Sequence, residues 1–180
     1  AAMLIRAGAQ AVKLEGGRRR IPMIEALVAA EIPVMGHIGL TPQSMHAMGG
    51  YRVQGRDAEA ALDLVDAAKA LAHAGCFSIV LEGVPAPVAA MVTEAVEVST
   101  VGIGAGPDCD GQVLVFHDVL GLEQRILPKF VRRYADLFDL GVAALTEFAG
   151  DVRSGEFPDM AESYRLDDGA ADALGLHGAA

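Results

Sequence analysis

Short apolar runs alternate along this chain with amphipathic stretches of helical periodicity, and this alternation limits the fold more than any other feature. The apolar runs lie at Ala11–Gly17, Ile32–Ile38, Phe77–Leu81, Val98–Ile103 and Val113–Phe116. Alternating runs of this kind predict βα units and a parallel sheet. Such units build either an open doubly wound sheet or part of a (β/α)8 barrel. A complete barrel takes about 250 residues, so the pattern alone favours the open sheet for a chain of 180 residues.

The helical stretches and the end of the chain suggest how the domain is organised. Asp57 is a good amino-terminal cap for the helix that precedes the third apolar run. A later helix is predicted from Pro128 to Val152. We therefore predict that residues 1–152 form the βα units of one domain, and that residues 153–180 form a partly disordered carboxyl-terminal tail.

Charge and composition exclude several classes of function. The formal net charge is -10 and no basic stripe is available for phosphates, so we predict no nucleic-acid partner. No apolar run is long enough to span a bilayer and the amino end lacks a signal-peptide pattern, which predicts a cytoplasmic protein without a membrane partner. Cys76 and Cys109 lie far apart and suit reduced thiols. The first helix, which ends near Gly8, begins without a cap, and we interpret the chain as a fragment.

Polar residues gather at the predicted ends of the strands. Lys13 and Glu15 are two residues apart on the first strand, so their side chains point to the same side. His37 follows in the second strand, Glu82 ends the third, and the glycine loop 104–106 follows the fourth. Ligands of α/β proteins bind at the carboxyl ends of strands. We therefore expect these residues to form a site, with the glycine loop serving as an anion cradle or simply as a tight turn.

Each candidate side chain has a structural interpretation beside the functional one. Lys13 and Glu15 could bind a carboxylate and a metal ion or water, or they could form a buried ion pair. Glu82 leaves a buried strand, where poor solvation suits a carboxylate to proton abstraction, but it could instead cap the helix that starts near Pro85. A histidine inside a buried strand, as His37 is, more commonly serves as a satisfied core residue than as a catalytic one.

Six longer runs add information beyond this pattern. They are VKLEGG (12–17), PVMGHIGLTPQS (33–44), GGYRVQGR (49–56), VLEGVP (80–85), TVGIGAGPDCDGQVLVFHD (100–118) and PKFVRRYAD (128–136). Together they resemble the ketopantoate hydroxymethyltransferase family, with GHIGLTPQS and GGYRVQGR as the most specific runs. A weaker likeness continues to SGEFPDMAESY (154–164), so that the likeness extends over nearly the whole chain.

The resemblance implies a (β/α)8 TIM barrel of the phosphoenolpyruvate/pyruvate superfamily, of which this chain carries about the last five βα units. It also implies hydroxymethyl transfer from 5,10-methylenetetrahydrofolate to 3-methyl-2-oxobutanoate, which gives 2-dehydropantoate for pantothenate biosynthesis. Lys13 and His37 would bind the 2-oxo acid, Glu15 would lie at a Mg²⁺ site, and Glu82 would take the C3 proton. The resemblance further implies a homo-oligomer, a decamer.

The chain departs from the family's pattern in ways that bear on function. Members of the family carry three more strands upstream, with the aspartates that hold the metal, and these 180 residues do not supply them. Arg18–Arg20 stands where an acidic or mixed turn is usual, and Glu162 stands where the family often has histidine. Two alternatives therefore stay open. One is a non-catalytic remnant or assembly subunit of this fold, and the other is a related carbon–carbon lyase of the same superfamily.

Overall fold

The computed structural model describes residues 1–44 and 52–176, and within them it contains one parallel sheet of five strands. The strands are β1 (Val12–Glu15), β2 (Val34–Gly39), β3 (Ser78–Glu82), β4 (Ser99–Ile103) and β5 (Gly111–Gln112). Each strand pairs with the next one along the chain, in the order β1-β2-β3-β4-β5. A doubly wound sheet reverses its strand order at a switch point, whereas a (β/α)8 barrel adds strands in sequence. The observed order is therefore that of successive barrel units, and the doubly wound topology favoured by the pattern alone is wrong.

Helices follow the strands, and several begin as the sequence predicts. They are α1 (Ala2–Arg6), α2 (Ile21–Ala29), α3 (Ala58–His73), α4 (Ala86–Ala95), α5 (Phe116–Val119), α6 (Leu137–Ser154) and α7 (Asp168–Ala173), with 3-10 turns at Arg18–Arg20 and Pro42–Ser44. The Asp57 carboxylate caps α3 by accepting a hydrogen bond from the backbone N–H of Ala60 at 2.8 Å. Within the described ranges, no helix is long and apolar enough to cross a membrane.

The hydrophobic core lies between the sheet and helices α2, α3 and α4. Its largest members are less than 2% exposed, and they are Ile24, Val34, Leu71, Ile79 and Leu81. Full burial of one such side chain stabilises a fold by about 1.5–3 kcal/mol, so this layer holds β2 and β3 firmly against α3. Because side chains alternate along a strand, the residues between these core positions face the opposite side of the sheet.

The fifth strand is shorter than the sequence predicts and begins earlier. β5 covers Gly111–Gln112, and the prediction of a strand at Val113–Phe116 is wrong. Val113 still donates its backbone N–H to the Gly102 carbonyl at 3.0 Å, but its side chain is 45% exposed. In the described part of the chain, β5 has one neighbouring strand, so an apolar run there gains too little burial to extend the pairing. Phe116 instead begins helix α5, which also contains His117.

Helix α6 begins at Leu137, so the prediction of a helix from Pro128 is wrong over its first turns. The backbone N–H of Tyr134 donates to the carbonyl of Val119 at 2.8 Å. An amide bonded to the end of α5 in this way cannot donate to the carbonyl four residues earlier, as a helix requires. The division of the domain at residue 152 stays a prediction, and the described part of the predicted tail contains α7.

A partly buried polar network joins β4 to the residue before β5. The Asp110 carboxylate accepts hydrogen bonds from the backbone N–H of Thr100 at 2.7 Å and from its hydroxyl at 3.1 Å. The Thr100 hydroxyl also lies 2.9 Å from that of Thr93 on α4, and Thr100 is completely buried. The Asp110 side chain therefore holds β5 against β4 where few backbone hydrogen bonds are available.

Replacing Thr100 by Val is expected to lower the free energy of unfolding by about 1–2 kcal/mol, because Asp110 and Thr93 each lose a partner while the shape is kept. Denaturant unfolding measures this change. Thr146→Val on exposed α6 is the matched control, since the Thr146 hydroxyl donates only to the Val142 carbonyl of its own helix. The control should change stability by less than about 0.5 kcal/mol. Equal losses in the two variants would contradict a role for the network in holding β5.

Candidate active site

Pairing of β1, β2 and β3 brings three ionisable side chains together at the carboxyl ends of these strands. Glu15 on β1 is the register partner of His37 on β2. Gly39, two residues after His37, is the register partner of Glu82 on β3. By strand alternation, Glu15, His37 and Glu82 all lie on the side of the sheet opposite the hydrophobic core. We call these three residues the trio.

His37 lies between the two carboxylates of the trio. Its Nδ1 is 3.6 Å from Glu15 Oε1, and its Nε2 is 3.2 Å from Glu82 Oε2. The imidazole is 1% exposed, and the side chains of Glu15 and Glu82 are 13% and 15% exposed. Neither imidazole nitrogen has a well-aligned hydrogen-bond partner among the described residues. The trio therefore places three ionisable side chains with little solvent exposure next to one another across three strands. The two carboxylates lie close to the imidazole but form no hydrogen bonds with it.

Two hydrogen bonds fix Glu15 in place. The backbone N–H of Gln43 donates to Glu15 Oε2 at 3.0 Å, and Arg20 Nε donates to the Glu15 carbonyl at 3.2 Å. Gln43 belongs to the 3-10 turn after β2, so this turn reaches back to the end of β1. A carboxylate that accepts a backbone N–H is held in one orientation. The other oxygen, Oε1, is thereby directed at His37.

Gly39 allows β2 and β3 to approach closely beside Glu82. Its backbone has φ +89°, and a Cβ at this position would lie 2.3 Å from the Glu82 carbonyl oxygen. The next residue, Leu40, donates its N–H to that same carbonyl at 2.7 Å. A glycine is therefore required for the chain to turn at the end of β2, because any side chain there would clash with the Glu82 backbone and with Val84.

Lys13 lies on the same face of β1 as Glu15, but its side chain is exposed. Among the residues that the structure describes, its ammonium group has no ion-pair partner, so the buried ion pair of Lys13 with Glu15 is not formed. An unpaired cation beside this trio suits the binding of an anionic ligand.

The glycine loop after β4 is explained by close packing. Gly104 has φ +63° and Gly106 has φ +80°. A Cβ at Gly106 would lie 2.3 Å from the Cβ of Ala86, and one at Gly104 would lie 2.6 Å from the Phe130 ring. These contacts favour a tight turn over an anion cradle.

A cavity of about 780 Å³ opens near the ends of β1 and β2, but it lies on the helix side of the sheet. It is lined by core residues such as Ile38, Leu64 and Ala67, and by Arg18–Arg20, and it contains none of the trio. Arg18 pairs with Asp63 on α3. We therefore place the candidate site at the trio and not in this cavity.

The described residues do not form a complete metal site. Within residues 1–44 and 52–176, no group of three or more His, Cys, Asp or Glu side chains is placed so as to hold a metal ion. Mg²⁺ prefers octahedral oxygen ligands, whereas the trio offers two carboxylates separated by an imidazole. One oxygen of Glu15 is already bonded to Gln43. The residues present do not by themselves fit Mg²⁺.

Both cysteines are free thiols outside the trio. Burial raises the pKa of the Cys76 thiol and of the Cys109 thiol. A raised pKa lowers the fraction of thiolate, which is the nucleophilic form. We therefore assign neither cysteine to the site.

Comparison with known proteins decides the family. A sequence model described as ketopantoate hydroxymethyltransferase matches residues 1–160 of this chain. The chain belongs to the ketopantoate hydroxymethyltransferase family. The resemblance carried by its motifs is thereby confirmed, and the sequential order of the parallel strands agrees with the barrel fold that the resemblance implies.

Several curated relatives of this family member are named 3-methyl-2-oxobutanoate hydroxymethyltransferase. The chain is 59% identical over 161 residues to 3-methyl-2-oxobutanoate hydroxymethyltransferase 2 from Bradyrhizobium diazoefficiens. These residues make up 89% of this chain and 55% of the relative. It is 59% identical over 167 residues to one from Methylobacterium sp., covering 93% and 58% of the two chains. It is 62% identical over 152 residues to one from Syntrophobacter fumaroxidans, covering 84% and 54%. The chain spans about half the length of these relatives, whose names make the family one of transferases.

Sequence reasoning missed two residues of the candidate site. Gln43 stands in the run GHIGLTPQS, but it acts through a backbone N–H, which leaves no sequence signal of its own. Gly39 does have a signal, because it is a glycine placed directly after a buried strand. The motif GGYRVQGR (49–56) lies partly outside the described residues, which resume at Arg52.

Proposed function

We propose that this protein transfers a hydroxymethyl group from 5,10-methylenetetrahydrofolate to 3-methyl-2-oxobutanoate, giving 2-dehydropantoate for pantothenate biosynthesis. The observation that carries the proposal is the largely buried trio at the carboxyl ends of β1–β3, beside Lys13, whose cation has no ion-pair partner among the described residues. Membership of the ketopantoate hydroxymethyltransferase family supports the choice of substrates.

We assign proton abstraction to Glu82. Its carboxylate is 15% exposed, and Oε2 faces His37, so Oε1 is left for a ligand. The C3–H of the 2-oxo acid lies next to a carbonyl, and its electron pair becomes the C=C bond of an enolate when the proton moves to Glu82. A general base of this kind contributes about 10²–10⁴-fold to a rate.

The enolate carbon would then form a carbon–carbon bond to the one-carbon unit of the folate. The one-carbon unit is bonded to two folate nitrogens, N5 and N10, and both carbon–nitrogen bonds break. One water supplies the hydroxyl group of the product, and its remaining proton and the proton taken from C3 go to the two nitrogens. The protein's part in this step is to hold the two substrates in line and, when both are bound, to keep bulk water away from the enolate. The low exposure of the trio supports such a role.

Lys13 and His37 are assigned to the binding of the 2-oxo acid. The exposed ammonium of Lys13 suits the carboxylate of this substrate, and His37 lines the floor of the site. We also propose Mg²⁺ as the cofactor, with Glu15 at the edge of its site. A bound Mg²⁺ would supply Lewis-acid chemistry that acidifies C3. The described residues do not complete its coordination, so its remaining ligands would lie outside them.

We further propose a homo-oligomeric assembly in the cytoplasm, a decamer by the family resemblance. Helix α6 supports an assembly role, because it exposes Leu140 (64%), Leu145 (69%) and Phe148 (50%). Large apolar side chains exposed on one helix, as these three are, fit an interaction surface.

The test uses protein expressed from its complete coding sequence. Incubation with both substrates and Mg²⁺ is expected to yield 2-dehydropantoate, detected by mass spectrometry. Cleavage of a 2-oxo acid without folate would instead support the carbon–carbon lyase. A folded protein that binds no Mg²⁺ and whose melting temperature does not rise with the 2-oxo acid would support the non-catalytic assembly subunit.

A further inference from the structure

The His37 imidazole is completely buried, yet neither of its nitrogens has a well-aligned hydrogen bond among the described residues. Buried polar groups in folded proteins are nearly always paired, because an unpaired one costs stability. An apolar side chain of similar volume would avoid this cost at the same position. The unsatisfied imidazole therefore needs a reason other than packing.

The surroundings of His37 differ on its two sides. Nε2 is 3.2 Å from Glu82 Oε2, whereas Nδ1 is 3.6 Å from Glu15 Oε1. Glu15 also accepts a hydrogen bond from the Gln43 N–H, so its carboxylate is fixed in position on the Nδ1 side of the imidazole. A neutral imidazole carries one N–H donor and one lone pair. The shorter approach, to Glu82, favours the tautomer in which Nε2 carries the donor.

We propose that His37 is a positioning residue that acts through Glu82. When the 2-oxo acid binds, Nε2–H of His37 donates to Glu82 Oε2 and thereby directs the other oxygen, Oε1, at the C3 proton. Hydrogen bonds of catalytic groups are often poorly aligned without substrate and tighten in the complex. This inference rests on the proposed function and goes beyond the assignment of His37 to substrate binding.

Two conservative variants separate this role from simple lining of the pocket. In His37→Gln the amide nitrogen can stand near the position of Nε2 and still donate to Glu82, whereas in His37→Asn it stands near the position of Nδ1 and faces Glu15. We expect Asn to lower kcat for C3 proton exchange about 10–100-fold below that of Gln, while the rise in KM from the altered substrate contact is common to both variants. Gln should restore most of the rate. Equal losses in the two variants, or a rise in KM alone, would overturn the proposal.

A second measurement does not depend on activity. In protein with ¹⁵N-labelled histidine, bound to 3-methyl-2-oxobutanoate, the His37 signals are expected to report the Nε2–H tautomer. Glu82→Gln, which removes the charge facing Nε2, should shift the Nε2 signal more than Glu15→Gln does. An Nδ1–H tautomer, or equal shifts in the two variants, would overturn the contact even if the enzyme is active. If the tautomer is as expected and no exchange occurs, the proposed function fails and the hydrogen bond stands.

Discussion

Replacing Glu82 by Gln is expected to slow exchange of the C3 proton of 3-methyl-2-oxobutanoate in D₂O by about 10²–10⁴-fold. Gln keeps the size of the side chain, and its carbonyl oxygen can still accept a hydrogen bond from His37. It cannot take a proton, so the enolate does not form at the normal rate. Loss of the C3 proton signal in ¹H NMR, without folate, measures this step separately from carbon–carbon bond formation.

Glu25→Gln is the matched control, because Glu25 is exposed on α2 and lies outside the trio. It makes the same chemical change and should leave exchange at the rate of the unmodified protein. Substrate affinity should differ little between the two variants, since Gln at position 82 keeps the shape of the site. Exchange that continues unchanged in Glu82→Gln would exclude Glu82 as the base.

Replacing Gly39 by Ala is expected to lower the free energy of unfolding by about 2–4 kcal/mol. The methyl group would meet the Glu82 carbonyl oxygen at 2.3 Å and Val84 at 2.8 Å, and the backbone has φ +89°, which alanine rarely adopts. The clash is with backbone, so β2 and β3 must move apart. We expect the same variant to lose C3 exchange, because the displaced strand carries Glu82.

Gly150→Ala provides the control for this prediction. Gly150 lies inside α6, and a Cβ there would meet nothing within 4 Å. Ala has the higher helix propensity, so this variant should stabilise the protein by about 0.5–1 kcal/mol. Denaturant unfolding of both variants gives the comparison. A Gly39→Ala protein as stable as the Gly150→Ala protein would contradict the close approach of β2 and β3.

Strands β1–β4 could be predicted from the sequence because each is a short, strongly apolar run bounded by glycine or charge. The same reasoning failed for Val113–Phe116. An apolar run does not reveal that, in the described part of the chain, β5 pairs with one strand only. The prediction of a helix from Pro128 also failed. The backbone N–H of Tyr134 donates to the carbonyl of Val119, a residue too far away in the sequence for helical periodicity to reveal the contact. Both errors come from contacts between residues that are too far apart in the sequence for local patterns to show.

The candidate site was predictable to a similar degree. Glu15, His37 and Glu82 could be placed at one edge because the ends of parallel strands share that edge. The position of His37 between the two carboxylates depends on the register of β1, β2 and β3, and this register is not visible in the sequence alone. Gln43 contributes only a backbone N–H, so its residue type does not reveal its role.

A crystal structure of the protein with bound 3-methyl-2-oxobutanoate tests the central claim most directly. We expect the substrate at the carboxyl ends of β1–β3, with C3 within about 3.5 Å of a Glu82 carboxylate oxygen. Its carboxylate should lie beside the Lys13 ammonium. A substrate bound elsewhere, for example in the cavity lined by Arg18–Arg20, or one whose C3 faces away from Glu82, would contradict the account.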